Sequence, residues 1–440
     1  MKERVTLLII ITSLIAFLIV FQNYFNTMWA VISLLCFMFL YSFYMYCVQK
    51  YRKRKQKKNP PIINYDFHPF VSIMIPCHNE VSVIEKTVEN IQKLDYDSFE
   101  IILIDDRSDD GTQKLIEDIE KKYKNVKTLI RSLDSTPGKS AVLNDGIKLA
   151  KGEVIAVFDA DAKIKPEFLK EMLPKLEPAD VGAVQAQKVI INAKQNFLTQ
   201  CQYNEYILDT HFQIGRDAVR GAVELRGNGE IIKRQALISI NCWNEETIVD
   251  DLDMSTRLHI KGWDIRFCPE AQVFEEGVIT FGALIKQRRR WVEGSIRRYL
   301  EYAKDVLTTK DMSLRVGFDL IAYVTEFLLP FWLIVEIFFQ AFRFVKGYDN
   351  CILSSIVMVV ATGIFFICGF VYSLRRYAHL NFSSSIFQAV VTSVYFLTIW
   401  FPIAIFIIFK IIFTRKTMDW GKTVHGVATV SLEEVNNAGK

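Results

Sequence analysis

The chain has 440 residues, a formal net charge of +4, a hydrophobic content of 51% and a positive mean hydropathy of +0.18. This length is enough for a full α/β domain together with several membrane spans, and the hydropathy is high for a soluble protein. The mild charge, without a basic and aromatic surface pattern, argues against a nucleic-acid-binding protein. Eight scattered cysteines without CxxC or Cys/His ligand spacing argue against a disulfide framework and against a zinc site.

Two uncharged apolar segments begin the chain. Residues 5–21 and 27–48 each approach the ~20 residues that cross a bilayer, so we predict a transmembrane hairpin within residues 1–48. An alternative for the first segment is an uncleaved signal-like anchor, because its charged start resembles an n-region. A dense basic cluster follows within residues 49–69, and by the positive-inside rule it predicts a cytoplasmic location for the next domain. This cluster is either a solvated linker or a contact for anionic lipid headgroups.

Residues 70–280 have the pattern of an α/β domain with a mostly parallel sheet and flanking helices. Short apolar runs predict four strands, over residues 71–76, 101–104, 154–158 and 182–187. Helical stretches over residues 83–94 and 140–150 separate the first three strands, and a further helix is predicted to begin near Asp251. Ligands of such sheets bind at the carboxyl ends of the strands, where we expect the functional site.

The C-terminal part becomes apolar again. Residues 281–316 form a basic amphipathic segment that we expect to lie along a membrane surface. Within residues 317–413 we predict three spans, over residues 317–342, 351–374 and 386–413, followed by a tail of residues 414–440. Three spans would leave the basic residues of the tail on the outer side, against the positive-inside rule, so the sequence leaves the C-terminal topology open.

Acidic pairs follow two of the predicted strands. Asp159 and Asp161 come directly after an apolar strand, and such hard oxygen ligands hold Mg²⁺ or Mn²⁺ together with substrate phosphates. Taken alone, this DxD pattern is also compatible with a loop that carries two solvated acids. Asp105 and Asp106 end the second strand, where a buried carboxylate can accept a hydrogen bond from a base N–H. The two pairs together predict a site for a metal and a nucleotide.

Two further features suit phosphate binding and proton transfer. Pro137-Gly138-Lys139-Ser140 precedes a predicted helix, so Lys139 and the helix N-terminus can meet a phosphate, although a plain glycine turn and serine cap explain the same residues. Asp250 and Asp251 lie at another predicted helix start. One of them can serve as a general base for an acceptor hydroxyl, and the alternative role is to complement the helix dipole.

A basic and aromatic motif occurs in the amphipathic segment. Gln287, Arg290 and Trp291 are three and four residues apart, so on a helix they share one face. Arginine can bind a diphosphate through two hydrogen bonds, and tryptophan offers a flat wall for a sugar ring. The alternative is an interfacial helix that uses arginine to reach the headgroups and tryptophan as an anchor.

In this order the motifs resemble those of the family 2 inverting glycosyltransferases, which combine a GT-A nucleotide-sugar domain with membrane spans. The matching segments are Pro76–Glu80, Asp105-Asp106, Gly138–Asn144, Asp159–Asp161, Asp250-Asp251 and Gln287–Trp291. The resemblance implies metal binding by Asp159 and Asp161, and catalysis by Asp251 with Asp250 beside it. It implies nucleotide-sugar binding by Pro76, Asn79, Glu80, Asp105, Asp106, Lys139 and Asp159. It implies diphosphate or acceptor binding by Gln287, Arg290 and Trp291.

Further segments resemble the cyanobacterial β-monoglucosyldiacylglycerol synthases more than the synthases of poly-N-acetylglucosamine, hyaluronan or cellulose. They are Glu224–Gly229, Trp243–Thr247, Phe274–Gly277, Gln287–Gly294 and Arg298–Leu300. This resemblance implies a multi-pass membrane enzyme that transfers a hexose, glucose by analogy, from a UDP-sugar to a lipid such as 1,2-diacylglycerol, with Mg²⁺ or Mn²⁺. The alternatives are a processive polysaccharide synthase, a catalytically silent scaffold with the same fold, and, least of all, a transporter.

Overall fold

The structure is a computed structural model that describes residues 2–24, 27–59, 64, 67–347, 351–414 and 416. Two long helices, α1 (Lys2–Tyr24) and α2 (Thr27–Lys58), begin the chain. Helix α2 contains the second predicted span and also the basic cluster, so no break separates the two at residue 48. Most of the predicted tail, residues 417–440, lies outside the described residues.

The middle of the chain alternates strands and helices. Its first half contains β1 (Val71–Cys77), α3 (Ile84–Ile91), β2 (Phe99–Asp105), α4 (Thr112–Lys122), β3 (Val126–Ile130), α5 (Lys139–Gly146) and β4 (Val154–Val157). Its second half contains β5 (Lys163–Ile164), α6 (Phe168–Leu176), β6 (Val181–Ile190), α7 (Phe197–Val219), β7 (Glu230–Lys233), α8 (Arg234–Ser239), α9 (Asp250–Ile260) and β8 (Asp264–Glu275). The four predicted strands fall on β1, β2, β4 and β6, whereas the strands β3, β5, β7 and β8 and the helices α6, α7 and α8 were not predicted.

The eight strands form one sheet in the order β3-β2-β1-β4-β7-β6-β8-β5. The first four of these are parallel to one another, as expected. Strand β7 is antiparallel to both β4 and β6, and β5 is antiparallel to β8. Strand β6 is in turn parallel to β8. Four of the seven strand pairings are therefore parallel and three are antiparallel, so the sheet is mixed, and the expected parallel arrangement is continuous only from β3 to β4. The four-residue β7 begins with the acid Glu230 and has no alternating pattern, which is why the sequence did not reveal it.

Both faces of the sheet are covered, and this explains the continuous apolar runs. All seven residues of β1 are buried, as is typical of a central strand with helices on both sides. Successive side chains point to opposite faces. Ile73 therefore belongs to the core under α3 and α6, and Met74 to the core under α5 and α8. Because β1, β2 and β4 are parallel neighbours, their carboxyl ends lie at one edge of this buried sheet.

Five helical segments follow the sheet: α10 (Phe281–Thr308), α11 (Leu314–Val345), α12 (Cys351–Tyr377), α13 (Phe382–Tyr395) and α14 (Phe401–Phe413). One wider π-type turn, Phe396–Trp400, joins α13 to α14. Among the described residues, the continuous stretch Phe382–Phe413 is long and apolar enough to cross a membrane. The other predicted spans correspond to α1, α2, α11 and α12 and stay predictions.

Helix α7 lies where the sheet domain meets the apolar helices. It packs against β6 and β8 on one side and against α2, α12 and α13 on the other. On the second side Ile207 and Leu208 are buried against Phe370, Leu374 and Ala389. The edge of the sheet that bears the acidic motifs is thereby held next to the apolar helices.

Candidate active site

A cavity of about 1450 Å³ begins at the carboxyl ends of β1 and β4 and continues between α2, α7, α12 and α13. Most of the residues singled out in the sequence line its charged end: Pro76, Glu80, Lys139, Asp159, Asp161, Asp250, Asp251, Gln287, Arg290 and Trp291. They come from five separate segments of the chain. The fold therefore brings the strand-end acids, the acidic pair and the QxxRW motif to one place.

Lys139 joins the DxD segment to the loop before β7. Its Nζ donates hydrogen bonds to Asp159 Oδ1 at 2.7 Å and to the Gly227 carbonyl oxygen at 2.9 Å. Burial alone lowers the pKa of Lys139, but the neighbouring charges of Asp159 and Asp250 raise it overall. Lys139 is therefore a fixed cation between the two acidic clusters. Such a cation suits the negative charge of a donor diphosphate.

Asp251 lies in the first turn of α9 and is held by short contacts. Its Oδ1 accepts a hydrogen bond from the Leu252 backbone N–H at 2.7 Å. Gly227 packs so closely that a Cβ atom there would lie 3.1 Å from Asp251 Oδ2, and the φ of Gly227 is +71°. Burial and the adjacent charge of Asp250 raise the pKa of Asp251 to about 6. A carboxylate with this pKa is ionised at neutral pH and is still basic enough to take a proton.

Asp105 and Asp106 lie beneath the cavity wall, and neither lines the cavity itself. Asp106 Oδ1 accepts hydrogen bonds from Arg131 Nη1 at 2.6 Å and from Arg107 Nε at 2.9 Å. Asp105 Oδ2 accepts from the Ser108 N–H at 3.1 Å. Asp105 Oδ1 is buried and has no hydrogen-bond partner among the described residues. One of the two carboxylates thus supports the loop, and the other keeps an unused acceptor.

The loop after β1 is fixed by Asn79, which also does not line the cavity. Asn79 has a left-handed backbone with φ of 58°. Its N–H donates to Ser108 Oγ at 2.9 Å, and its Oδ1 accepts from the Asp109 N–H at 2.8 Å. Asn79 therefore ties the loops after β1 and β2 together, while Pro76 and Glu80 on the same loop face the cavity.

The QxxRW motif, Gln287–Trp291, lies on α10, and Arg288 is its most buried residue. Arg288 is fully buried, and its guanidinium lies 4.1 Å from the ring centre of Trp291. Its Nη2 donates to Glu205 Oε2 at 3.0 Å, and its Nη1 donates to Gln287 Oε1 at 2.7 Å. Arg290 lines the cavity instead. Arg288 therefore fixes both Gln287 and Trp291.

Four residues of the site were not singled out in the sequence. Lys188 Nζ lies 2.9 Å from Glu275 Oε2, and the Tyr206 hydroxyl donates to Glu275 Oε1 at 2.6 Å. These three line the cavity beside Asp159. Glu230 lies behind the acidic pair, where burial and the charges of Asp251 and Asp250 raise its pKa to about 8. Apart from the Phe274–Gly277 segment, no local pattern in the sequence marks these positions.

A buried ionic network centred on Glu224 connects the elements around the site. Glu224 is buried and lies within 2.8 Å of Arg298 Nη1, 3.0 Å of Arg226 Nη1 and 3.5 Å of Arg216 Nη1. Burial alone raises the pKa of Glu224, but the three guanidinium groups lower it well below its usual range. Arg216 also pairs with Asp319 of α11 at 3.5 Å. The network connects α7, α10 and α11 with the loop before β7.

The donor set of the DxD segment fits one kind of metal. Among residues 2–416 that the structure describes, no group of three or more His, Cys, Asp or Glu side chains could hold a metal ion. Asp159 and Asp161 supply two carboxylates at the cavity wall. Mg²⁺ is commonly held by one or two carboxylates, with water and substrate phosphates as the other ligands. The pair therefore suits a metal that binds together with a phosphorylated donor, and it does not suit an all-protein metal cage.

Residues 68–294 match the family described as Glycosyltransferase like family 2. The chain belongs to this glycosyltransferase family. The matched segment begins just before β1 and ends on α10, so it contains the motifs from Pro76 to Trp291. The resemblance drawn from the motifs is confirmed at the level of the family.

Three relatives illustrate the range of the family around this glycosyltransferase. The β-monoglucosyldiacylglycerol synthase of Trichormus variabilis is 45% identical over 265 residues, which cover 60% of this chain and 56% of that protein. The enzyme of the same name from Synechocystis is 32% identical over 400 residues, covering 88% and 82%. The poly-β-1,6-N-acetyl-D-glucosamine synthase of Staphylococcus aureus is 30% identical over 277 residues, covering 62% and 66%. The chain thus spans little more than half the length of the first relative.

A solved structure gives the fold. The mannosyltransferase PcManGT from Pyrobaculum calidifontis, in complex with GDP-Man and Mn²⁺, superposes with a TM-score of 0.58 at 19% identity. The superposition covers 84% of this chain and 99% of that one. The family 2 domain therefore has the GT-A fold, as the motifs predicted, and its sheet is mixed.

Proposed function

We propose that the protein is a membrane-embedded inverting glycosyltransferase that transfers a hexose, glucose in the first instance, from a UDP-sugar to a lipid acceptor. The acceptor is proposed to be 1,2-diacylglycerol and the product a β-glycosyl lipid. Helices at both ends would span the membrane, and the GT-A domain would lie on the cytoplasmic side. The relatives named β-monoglucosyldiacylglycerol synthase support this choice of sugar and acceptor.

The continuity of the cavity carries the proposal. One end contains the charged groups of Lys139, Asp159 and Asp251, and the other is lined by apolar side chains of α2, α12 and α13. A nucleotide-sugar fits the charged end, whereas the side chains of α2, α12 and α13 in the lining are mostly apolar and suit hydrocarbon. An acceptor with a hydroxyl at one end and hydrocarbon at the other fits the whole cavity. Diacylglycerol has this construction.

The reaction follows from the positions of the charged groups. Asp251 takes the proton from the acceptor hydroxyl as its oxygen attacks the anomeric carbon of the sugar. The bond between that carbon and the diphosphate breaks on the opposite face, so an α-linked donor gives a β-glycoside and UDP leaves. Lys139 and Arg290 stabilise the negative charge that grows on the diphosphate. Trp291 supplies a flat wall for the sugar ring.

The remaining predicted residues bind the donor. Asp159 and Asp161 would hold Mg²⁺ or Mn²⁺, which as a Lewis acid neutralises charge on the departing diphosphate. Asp105 is buried behind the cavity wall, so its proposed role is indirect: it accepts hydrogen bonds from the Ser108 N–H and from Gln113 Nε2 and thereby holds the loop after β2 beside the nucleotide. Asn79 and Asp106 shape the loops around the nucleotide, with Pro76 and Glu80 on the cavity side.

Product analysis tests the proposal. The purified full-length protein in detergent is given radiolabelled UDP-glucose or UDP-N-acetylglucosamine, Mg²⁺ and diacylglycerol, and the products are separated by thin-layer chromatography. We expect one organic-soluble spot that depends on added diacylglycerol and is cleaved by a β-glucosidase. Labelled polymer at the origin without added lipid would instead indicate a polysaccharide synthase. Failure to bind UDP with Mn²⁺ would indicate a silent scaffold.

A further inference from the structure

The apolar end of the cavity has its own construction, which the donor chemistry does not use. Three helices contribute side chains at spacings of three or four residues, so each helix presents one stripe. The stripes consist of Phe39, Phe43 and Tyr46 on α2, of Gly363, Phe366 and Ile367 on α12, and of Val390, Val394 and Leu397 on α13 and the turn after it. The three stripes form a groove, named here the tail groove.

The tail groove is open sideways. Phe39 and Phe43 are 56% and 54% exposed, and Val394 and Leu397 are 52% and 58% exposed. Exposed apolar side chains of this number are unusual on a water-facing surface and are ordinary on a surface that contacts lipid. The groove can therefore be entered from a bilayer without passing through the aqueous mouth at the strand ends.

The tail groove also has open space beside α12. A Cβ atom at Gly363, which lines the cavity, would meet no atom within 4 Å among the described residues. The C-terminal part of α12, around Tyr372, packs against α7. Gly363 is nine residues before Tyr372, so it lies about 13 Å from this packed part along the helix axis. This space is too apolar for a sugar, which needs hydrogen-bond partners for its hydroxyls.

The groove is connected to the acceptor side of the reaction site. Trp400, at the end of the π-type turn, lines the cavity, and the centre of its ring lies 5.4 Å from the Arg288 guanidinium carbon. Its Nε1 donates to Glu205 Oε2 at 3.4 Å, the atom that also binds Arg288 and the Tyr395 hydroxyl. π-type turns often occur at functional sites. The turn therefore joins the groove to the helix that carries Gln287 and Trp291.

We propose that the tail groove is the binding site for the acyl chains of the acceptor lipid, which enters sideways from the bilayer with its hydroxyl directed at Asp251. This proposal rests on the proposed function. The occupant follows from continuity: a molecule whose hydroxyl reaches the charged end and whose remainder fills an apolar, laterally open groove is a lipid with long hydrocarbon chains. Chain length should then determine acceptor affinity through α12 and α13.

The test introduces a large side chain into the tail groove and varies the length of the acyl chains of the acceptor. Gly363→Phe is compared with Ile364→Phe, which adds the same ring one residue away at a side chain that is 57% exposed and outside the cavity. The KM of each purified variant is measured for dioctanoylglycerol and dioleoylglycerol at saturating UDP-glucose. We expect Gly363→Phe to raise the KM for dioleoylglycerol about tenfold, or about 1.4 kcal/mol, because the ring displaces methylene groups. The KM for dioctanoylglycerol and for UDP-glucose should change less than twofold, and Ile364→Phe should resemble the wild type.

Each outcome has one meaning. Equal changes for both acceptors, or no change for either, would overturn the tail groove while leaving the proposed function intact. A wild-type protein that glycosylates neither lipid would overturn the proposed function itself. If Gly363→Phe fails to fold, as judged by loss of UDP binding, Val394→Trp on α13, which also lines the cavity, replaces it with the same expectation.

Discussion

Replacing the proposed base is the most direct test of the chemistry. Asp251→Asn keeps the size of the side chain and its Oδ1, so the hydrogen bond from the Leu252 N–H at 2.7 Å is retained. The amide cannot accept the proton of the acceptor. Removal of a general base typically slows a reaction by about 10² to 10⁴-fold. We expect kcat to fall about 10³-fold, which corresponds to about 4 kcal/mol of activation free energy.

The donor site should be unaffected by this change, because Lys139 and Asp159 keep their contact at 2.7 Å. The assay therefore measures two quantities on the same preparation: the initial rate of glycolipid formation and the Kd for UDP with Mn²⁺ by calorimetry. We expect a large loss of rate with a Kd within about twofold of the wild type. An Asp251→Asn protein that is folded, binds UDP normally and turns over within tenfold of the wild type would refute the assignment of the base.

Three further predictions follow from the site. The base Asp251 must be ionised to act and its pKa is raised to about 6, so kcat/KM should fall as the pH drops through about 6. Asp250→Asn removes the charge that helps to raise the pKa of Asp251. The acid limb of the pH–rate profile should therefore move to lower pH in this variant. EDTA should abolish activity, Mg²⁺ or Mn²⁺ should restore it, and Asp161→Ala should raise the metal concentration for half-maximal activity by more than about tenfold; activity that persists in EDTA would contradict the metal site. Glu224→Gln leaves buried arginines without their charged partner, so the free energy of unfolding should fall by about 3 kcal/mol. The control Glu117→Gln, on the exposed face of α4, should change the free energy of unfolding by less than about 0.5 kcal/mol. Both variants are measured by thermal unfolding in detergent.

The sheet shows where local patterns suffice. Strands β1, β2 and β4 are buried on both faces, and such strands are continuous apolar runs that can be found without a structure. Strand β8 alternates buried and partly exposed residues around Pro269, and β7 has only four residues with Glu230 at its start. Their pairing with β6 and β4 depends on distant partners, so their place in a mixed sheet was not predictable.

The sequence by itself determined the family and the chemical inventory of the site. Asp159, Asp161, Asp251 and the QxxRW motif are local patterns next to predictable strands and helices, and the carboxyl ends of parallel strands must meet at one edge. The helical spacing of the motif also predicted that Arg290 shares a face with Gln287 and Trp291, and Arg290 lines the cavity. The burial of Arg288 against Glu205 and the two tryptophans depends on tertiary packing and was not available from the sequence.

Tertiary structure alone decided the contacts that give the site its character. The bond from Lys139 to Asp159 joins residues from different βα units, and the raised pKa of Asp251 depends on burial as well as on its neighbour. The cavity that continues from these charges to the tail groove requires α7 to be packed against α2 and α12. Burial and long-range packing are properties of the assembled chain, and no window of sequence contains them.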